Sequence, residues 1–341
     1  MKILIGLLII AIGAFCQSSS YVPINRIKSW SWESYWLVQG IFAWLLFPLL
    51  GALLAVPQGG SLFALFASAD SFHLWMTVLF GVLWGVGGLT FGLSMRYLGV
   101  ALGQSISLGT CAALGTVLGP MLLQIFFPEM NAIASLTASV LWGVGITLLG
   151  ITVIGIAGGR KSRETKAQQS AVTEFNFPKG ILIALLAGCM SGCFNVGLTF
   201  GQDIHFSQTS PLFESLPATF LVTLGGFITN AVYCLCQNYM NHSFYDYGKK
   251  EVWGNNLLFC CLAGLLWYSQ FFGLSLGKGF LAESPALLTF SFCILMALNV
   301  TFSNVWGIIL REWKGASLTT IAILLIGLTI LIISSFLPQL L

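Results

Sequence analysis

About ten apolar segments, each roughly twenty residues long, follow one another along this 341-residue chain, and short connectors between them hold nearly all the charged residues. With 57% hydrophobic and only 7% charged residues, the chain has too little polar surface for a water-soluble globule. The segments are long enough to cross a membrane as helices, and they lack the alternation typical of transmembrane barrel strands. The sequence therefore predicts an all-α integral membrane protein of about ten transmembrane helices.

Hydropathy places each predicted span to within several residues. The first span begins like a signal peptide, with Lys2 before an apolar run, but no small-residue cleavage site follows, so we expect it to remain. The spans lie near 3–22, 35–56, 73–94, 99–125, 133–157, 180–201, 216–238, 254–276, 284–310 and 316–337.

Positive charge predicts the orientation of these spans. Of the 14 Lys and Arg residues, all but Lys2 and Lys278 lie in connectors that follow odd-numbered spans. Because positive residues concentrate in short cytoplasmic loops, these connectors are predicted to be cytoplasmic. Both termini are therefore expected to face outward.

Several function classes lack support in the sequence. The net charge of +3 is small and follows from topology, so nucleic-acid binding is not predicted. We find no phosphate-binding glycine motif, no nucleophile elbow and no closely spaced carboxylate pair, which argues against an enzyme. The nine cysteines lie in or beside the spans as packing residues. No metal or cofactor is predicted, and membrane lipid is the expected surrounding.

The connector 158–178 is polar and divides the chain into residues 1–157 and 179–341, each with about five spans. An odd number of spans makes the second half enter the membrane from the opposite side, as in an inverted repeat. A sequence echo supports this interpretation, because Gly81–Trp84 and Phe91–Ser94 in the third span recur as Gly264–Trp267 and Phe272–Ser275 in the eighth.

A set of short blocks is distributed along the chain, and their order resembles that of a known family. The blocks are Lys28–Glu33 with Trp36, Phe80–Gly85 with Gly92–Leu93 and Met95–Gly99, Glu174–Asn176 with Lys179–Gly180, Gly264 with Trp267–Tyr268 and Gln270–Phe272, and Glu312–Trp313. In these blocks the chain resembles the L-rhamnose–proton symporter family of the drug/metabolite transporter superfamily, over almost its whole length.

The resemblance implies a carrier in the bacterial inner membrane, built from two inverted five-helix repeats. It implies a central cavity lined mainly by helices one, three, four, six, eight and nine, and both termini would then be periplasmic. It also implies import of L-rhamnose or a closely related 6-deoxyhexose with protons, by alternating access. A drug or metabolite exporter, or a sugar carrier with a different coupling ion, remains the alternative.

Polar side chains at membrane depth are candidates for a sugar site, since they are costly unless they are paired or face water. Gln17 and Tyr21 lie four residues apart in the first span. Asn195 and Thr199 belong to a polar stripe in the sixth span, its repeat mate. We expect the two stripes to meet across the central cavity. Helix packing is the alternative for these residues.

Aromatic residues provide the apolar part of such a site, because an indole face can stack on a pyranose ring. Trp84 and Trp267 occupy matching places deep in spans three and eight, and Gln270 lies one turn beyond Trp267. Gln104 and Ser107 form a polar pair near the start of span four, where helix contact is the alternative. Tryptophans beside charged connectors are instead expected to be interfacial anchors. These are Trp30, Trp32, Trp36 and Trp313.

Proton coupling needs a group that binds a proton in one orientation of the carrier and releases it in the other. Asp203 and His205 follow the polar stripe of span six, and we expect them to form a titrating pair at the outer mouth of the cavity. Glu33, at the cytoplasmic start of span two, is the other candidate. An acid in the middle of a span is not evident, which keeps a different coupling ion open.

Overall fold

The computed structural model describes residues 1–98, 100–166, 177–311 and 313–337, and every regular element within these ranges is helical. Among the described residues, nine helices are long and apolar enough to cross a membrane, and a tenth, of 17 residues, is at the lower limit of length. The prediction of an all-α, multi-pass membrane protein is confirmed. The helices are α1 (Lys2–Ser19), α2 (Trp32–Leu54), α3 (Ser71–Leu98), α4 (Val100–Phe126), α5 (Ala138–Lys166), α6 (Phe177–Phe200), α7 (Leu216–Met240), α8 (Lys250–Leu281), α9 (Pro285–Ile309) and α10 (Leu318–Ser334).

Short helical turns occupy several connectors. Pro23 lies in a separate turn beyond the end of α1. The predicted start of the fifth span at residue 133 falls in a 3₁₀ turn, and α5 begins at Ala138. The turns are α-helical at Tyr21–Ile24 and Leu62–Ser68, and 3₁₀ at Pro128–Met130, Ala132–Ser135 and Ser243–Gly248.

Helix α2 is irregular at its centre. A π-helical stretch, Ile41–Leu46, separates the α-helical segments Trp32–Gly40 and Phe47–Leu54. Pro48 explains the irregularity, because a proline has no N–H to donate to the carbonyl four residues earlier and its ring crowds that carbonyl. The carbonyl concerned is that of Trp44. A widened turn before the proline relieves this crowding.

The chain forms two compact units, described here separately. Unit 1 consists of Met1–Gly85 and Phe200–Phe280, and unit 2 consists of Val86–Thr199 and Leu281–Leu341. Each unit therefore takes helices from both halves of the chain. The units are defined by packing and not by chain order, so the predicted inverted repeat of 1–157 and 179–341 remains a prediction.

Glycines bring helices into close contact within unit 1. A Cβ at Gly81 or Gly225 would overlap backbone atoms of the facing helix, which packs α3 tightly on α7. The Thr229 hydroxyl donates across this interface to the carbonyl of Val82, at 2.9 Å. At Gly13, a Cβ would lie 2.8 Å from the carbonyl oxygen of Ser269, so α1 packs as closely on α8. Small residues favour such contacts in membranes because they let backbones approach.

The core of unit 2 lies between α5, α9 and α10. Ile151 and Ile154 of α5 are buried against Leu324 and Leu331 of α10, with residues of α9 in the same cluster. The Thr147 hydroxyl donates to that of Ser334 at 3.0 Å, and both side chains are fully buried. This pairing satisfies polar groups at membrane depth, where an unpaired hydroxyl is costly.

Candidate functional site

Trp84 and Trp267, which the sequence places at matching positions in its two halves, are in contact. Their ring centroids lie 5.6 Å apart, with the ring planes inclined at 35°. Both side chains are half-buried, so each ring keeps part of its surface accessible within unit 1. The pair presents flat apolar surface of the kind that stacks on a sugar ring.

Trp44, from the π-helical part of α2, completes a cluster with these two rings. Its ring is nearly perpendicular to both, at 6.1 Å and 89° from Trp84 and at 5.9 Å and 85° from Trp267. Only 4% of Trp44 is exposed. We call Trp44, Trp84 and Trp267 the tryptophan cluster.

Sequence reasoning missed Trp44 as a site residue. It lies midway between Trp32 and Leu54, far from any charged connector, and that depth is the signal that could have found it. The same depth criterion selected Trp84 and Trp267. The π-helical turn that orients its ring could not have been anticipated from hydropathy.

Two glycines make room for the cluster. A Cβ at Gly226 of α7 would overlap the ring of Trp84, and a Cβ at Gly40 would lie 2.7 Å from the ring of Trp44. Because ordinary side chains cannot tolerate contacts this short, both positions require glycine if the rings are to keep their places.

The aromatic contacts continue from the cluster toward the start of α2. Trp36 lies 5.6 Å from Trp44, and its indole N–H donates to the Asn230 amide oxygen at 3.1 Å. Trp32 stacks on Trp36 at 5.7 Å. The anchor interpretation is therefore incomplete for Trp36, which packs inside the protein.

Trp30 and Trp313, also expected as interfacial anchors, are 8% and 9% exposed. Trp30 packs edge-on against Tyr247 and Trp253. Trp313 lies under the ammonium group of Lys161, which is 4.8 Å from the ring centroid. Packing against protein, and not lipid contact, accounts for both side chains.

The predicted polar residues of unit 1 differ in their surroundings. Gln270 is 3% exposed on α8, one turn after Trp267. Gln17 lies one turn after Gly13, where α1 contacts α8, and its amide oxygen is buried with no hydrogen-bond partner among the described residues. Tyr21 is 54% exposed, beyond the end of α1.

Asn195 and Thr199 belong to unit 2 and pack α6 against α4. The Asn195 amide donates to the carbonyl of Gly115 at 2.7 Å, and the Thr199 hydroxyl donates to the carbonyl of Asn195 at 2.8 Å. A Cβ at Gly119 would lie 2.6 Å from the Thr199 hydroxyl. These contacts fit the helix-packing alternative for both residues. The side chain of Gln104 lies outside the described part of the chain.

The stripes of α1 and α6 belong to different units, so their meeting across a cavity remains a prediction. Gln17 and Tyr21 are in unit 1, and Asn195 and Thr199 are in unit 2. The cluster, with Gln270, is entirely within unit 1. Since all its members lie in one unit, we take the tryptophan cluster with Gln270 as the candidate substrate surface.

The two residues expected to pair for proton coupling have other partners. The carboxylate of Asp203 lies 3.7 Å from Nδ1 of His73, at the start of α3. Nε2 of His205 lies 3.3 Å from the carboxylate of Glu214. Three residues of the connector between α6 and α7 thus belong to two separate histidine–carboxylate pairs, the fourth member being His73 of α3. His73 and Glu214 were not anticipated as members of this group.

Glu33, the third coupling candidate, is 5% exposed in the first turn of α2. It accepts hydrogen bonds from the Asn241 amide at 3.0 Å and from the Ser243 hydroxyl at 2.7 Å. Two neutral donors thus provide hydrogen bonds to this buried carboxylate, as buried polar groups require. Its contacts join the start of α2 to the end of α7.

Comparison with known proteins supports a carrier. A family model described as the L-rhamnose-proton symport protein matches residues 1–340. An L-rhamnose-proton symporter of Yersinia pestis (strain Pestoides F) is 30% identical over 345 residues, covering 98% of this chain and 96% of that protein. The symporter of the same name from Cronobacter sakazakii (strain ATCC BAA-894) is 30% identical over 342 residues, with the same coverage of each chain.

The chain belongs to the L-rhamnose-proton symport protein family. As a symporter-family member it is a transporter and not an enzyme, and the predicted resemblance is confirmed.

Two of the blocks that carried the family resemblance contribute to the cluster. The block from Phe80 contains Trp84, and the block from Gly264 contains Trp267 and Gln270. A Cβ at Gly264 would lie 2.7 Å from Phe42 on α2, so the glycine lets α8 approach the helix that carries Trp44. In this symporter-family chain, the blocks from the two halves meet at one aromatic surface.

Proposed function

We propose that this protein imports L-rhamnose, or a closely related 6-deoxyhexose, together with protons across the bacterial inner membrane. Family membership carries the proposal. The relatives from Yersinia pestis and Cronobacter sakazakii are L-rhamnose-proton symporters by name. The excess of Lys and Arg in connectors after odd-numbered spans supports an orientation with both termini in the periplasm.

The tryptophan cluster supports a sugar as substrate. A 6-deoxyhexose carries a methyl group where other hexoses carry a hydroxymethyl group, and it therefore has a more apolar edge. The half-buried rings of Trp84 and Trp267 offer apolar surface for this edge and for the C–H groups of the pyranose. Gln270, one turn from Trp267, is the polar residue of this surface that we propose for contact with the hydroxyl groups.

For proton coupling we propose the connector between α6 and α7. The pairs His73–Asp203 and His205–Glu214 each place a histidine, a side chain that proteins commonly use to transfer protons, beside a carboxylate. Glu33 is the alternative on the opposite, predicted cytoplasmic side. Transport would follow alternating access, in which sugar and proton bind from outside and are released together inside.

The test is uptake of labelled L-rhamnose into proteoliposomes, with an inward proton gradient and with the gradient collapsed by a protonophore. Accumulation against the sugar gradient only when protons flow inward is the expected result. Other deoxyhexoses added as competitors define the substrate class. Equal uptake with and without the proton gradient would refute proton coupling, and an absence of rhamnose uptake would refute the substrate.

A matched pair of variants links uptake to the cluster. Trp84→Leu removes one stacking surface, whereas Trp75→Leu changes a tryptophan of the same helix that is 68% exposed. We expect Trp84→Leu to lower kcat/KM for rhamnose about tenfold, corresponding to about 1.4 kcal/mol, and Trp75→Leu to leave it within twofold. Equal effects of the two variants would remove the cluster from the substrate site.

A further inference from the structure

The indole N–H of Trp44 is a buried hydrogen-bond donor that no described residue accepts from. Nε1 has no hydrogen-bond partner among the described residues, and the side chain is 4% exposed. Buried tryptophans usually find an acceptor for this group, because desolvating it without a compensating bond costs free energy. The position of this donor therefore needs an explanation.

The neighbouring Trp36 shows that the same environment can satisfy an indole. Its Nε1 donates to the amide oxygen of Asn230 at 3.1 Å. Trp36 and Trp44 lie on the same helix with ring centroids 5.6 Å apart. Within the described part of the chain, the Trp36 donor is paired and the Trp44 donor is not, although both belong to a single aromatic group.

The Trp44 ring cannot easily turn toward an acceptor. It lies over Gly40 on one side and contacts the rings of Trp36, Trp84 and Trp267. Its backbone belongs to the π-helical stretch Ile41–Leu46 that precedes Pro48. The fold thus holds the indole in place while its N–H has no acceptor among the described residues.

Two further buried polar atoms lie on helices of the tryptophan cluster, one on α2 and one on α8. The amide oxygen of Gln39 on α2 and the hydroxyl of Tyr268 on α8 lack hydrogen-bond partners among the described residues. These side chains are 2% and 5% exposed. Unsatisfied polar groups on these helices are therefore not confined to Trp44, and buried water is the competing partner for its donor.

We propose that Trp44 is a specificity-determining residue whose indole N–H donates to a hydroxyl of the bound pyranose. This inference rests on the proposed function. The Trp44 ring contacts the rings of Trp84 and Trp267, so its N–H belongs to the same aromatic cluster as the two rings that we propose stack on the sugar.

The test replaces the indole of Trp44 by benzothiophene, which exchanges the N–H for sulfur and keeps the bicyclic shape. The same replacement at Trp36 is the matched control, because that N–H is already paired with Asn230. Binding of L-rhamnose and of its monodeoxy analogues is measured by calorimetry on the full-length protein in detergent, together with the melting temperature.

At Trp44 we expect rhamnose affinity to fall about tenfold without a lower melting temperature, and the affinity for one monodeoxy analogue to stay unchanged. At Trp36 we expect a lower melting temperature and no change in the ranking of the analogues. Unchanged rhamnose affinity at Trp44 would mean that a water, and not the sugar, uses this donor. An equal loss for every analogue would indicate a structural role, and either result overturns the proposal.

These outcomes separate this proposal from the proposed function. If the unmodified protein transports rhamnose and the Trp44 replacement binds it normally, only the role of Trp44 fails. If the unmodified protein neither binds nor transports rhamnose, both the proposed function and the assignment of Trp44 to a rhamnose hydroxyl are overturned.

Discussion

The carboxylate of Asp246 holds the N-terminus of α2 through Ser31. One oxygen, Oδ2, accepts hydrogen bonds from both the backbone N–H and the hydroxyl of Ser31, each at 2.7 Å. The other oxygen accepts from the ammonium group of Lys249 at 2.6 Å. Asp246 is 1% exposed. A single buried carboxylate therefore connects the α7–α8 connector to the first turn of another helix.

Unit 2 contains an analogous contact, made by Glu164 at the end of α5. Its carboxylate accepts from the backbone N–H and the hydroxyl of Ser317, each at 2.8 Å, and from the Thr320 hydroxyl at 2.8 Å. Ser317 is the N-cap of α10, as Ser31 is of α2. In both units, a carboxylate distant in sequence accepts hydrogen bonds from the serine at a helix N-terminus, where negative charge also interacts favourably with the helix dipole.

We predict that Asp246→Asn destabilises the protein by about 2 kcal/mol, since hydrogen bonds to a charged group contribute roughly 1.5–3 kcal/mol. The variant keeps the side-chain shape but leaves Lys249 without its counterion. Thermal unfolding in detergent measures the loss. Asp70→Asn is the control, because Asp70 accepts from two backbone N–H groups in an exposed turn where asparagine caps equally well. An equal shift in both variants would contradict the prediction.

The pH dependence of stability tests the same contact. Burial acts to raise the pKa of Asp246, but hydrogen bonds from Lys249 and Ser31 outweigh it, and the net shift is downward. A lowered pKa in the folded state gives stability that is complete above the unfolded pKa of about 3.9 and is lost as pH falls toward the folded value. We expect acid unfolding below about pH 4 to be less steep in Asp246→Asn. An identical pH profile would show that this carboxylate is not responsible.

We expect the contact of Glu164 with Ser317 to stabilise the protein less than that of Asp246 with Ser31. Hydrogen bonds from the backbone and hydroxyl of Ser317 and from Thr320 lower its pKa, but its carboxylate is exposed to solvent. Water can therefore replace the lost partners. We expect Glu164→Gln to shift the melting temperature less than Asp246→Asn, in parallel measurements on the two purified variants. A larger shift would mean that burial is not what distinguishes the two contacts.

The helical fold could be predicted because hydropathy and helix length are local properties of the chain. Each of the predicted spans contains one long helix, with ends shifted by only a few residues in most cases. The contact between Trp84 and Trp267 could also be anticipated from the sequence, because the repeated motif places both residues at the same depth. How residues group into two packing units depends on long-range contacts, which hydropathy does not contain.

Side-chain partners were harder to predict than helices. Asp203 contacts His73, which lies far away in the chain, and not its neighbour His205. Nothing in the spacing of the α6–α7 connector indicates this choice, which tertiary packing decides. For Asn195, the sequence leaves helix packing as an alternative to a cavity role. Gly115 and Gly119 on the facing helix are the local signal that favours packing.

Gly226→Ala is predicted to impair transport by displacing a ring of the tryptophan cluster. The added Cβ would overlap the Trp84 ring, which must then move away from Trp267. Gly254→Ala, in α8, is the control because a Cβ there meets nothing within 4 Å. We expect rhamnose uptake by Gly226→Ala to fall at least about tenfold, while Gly254→Ala matches the parent. Normal uptake by Gly226→Ala would show that the position of Trp84 does not matter for transport.

Measurements that separate proton coupling from sugar binding identify which histidine–carboxylate pair carries the proton. Asp203→Asn removes the carboxylate from one pair and Glu214→Gln from the other, while Glu33→Gln neutralises the predicted cytoplasmic candidate. A coupling variant should lose accumulation driven by a proton gradient but retain sugar counterflow, because counterflow exchanges sugar for sugar without net proton movement. We expect this pattern for Asp203→Asn, whose partner His73 is 13% exposed and therefore more shielded from solvent than His205 at 30%. If Asp203→Asn accumulates rhamnose normally and Glu214→Gln or Glu33→Gln shows the pattern instead, the proton site lies with that residue.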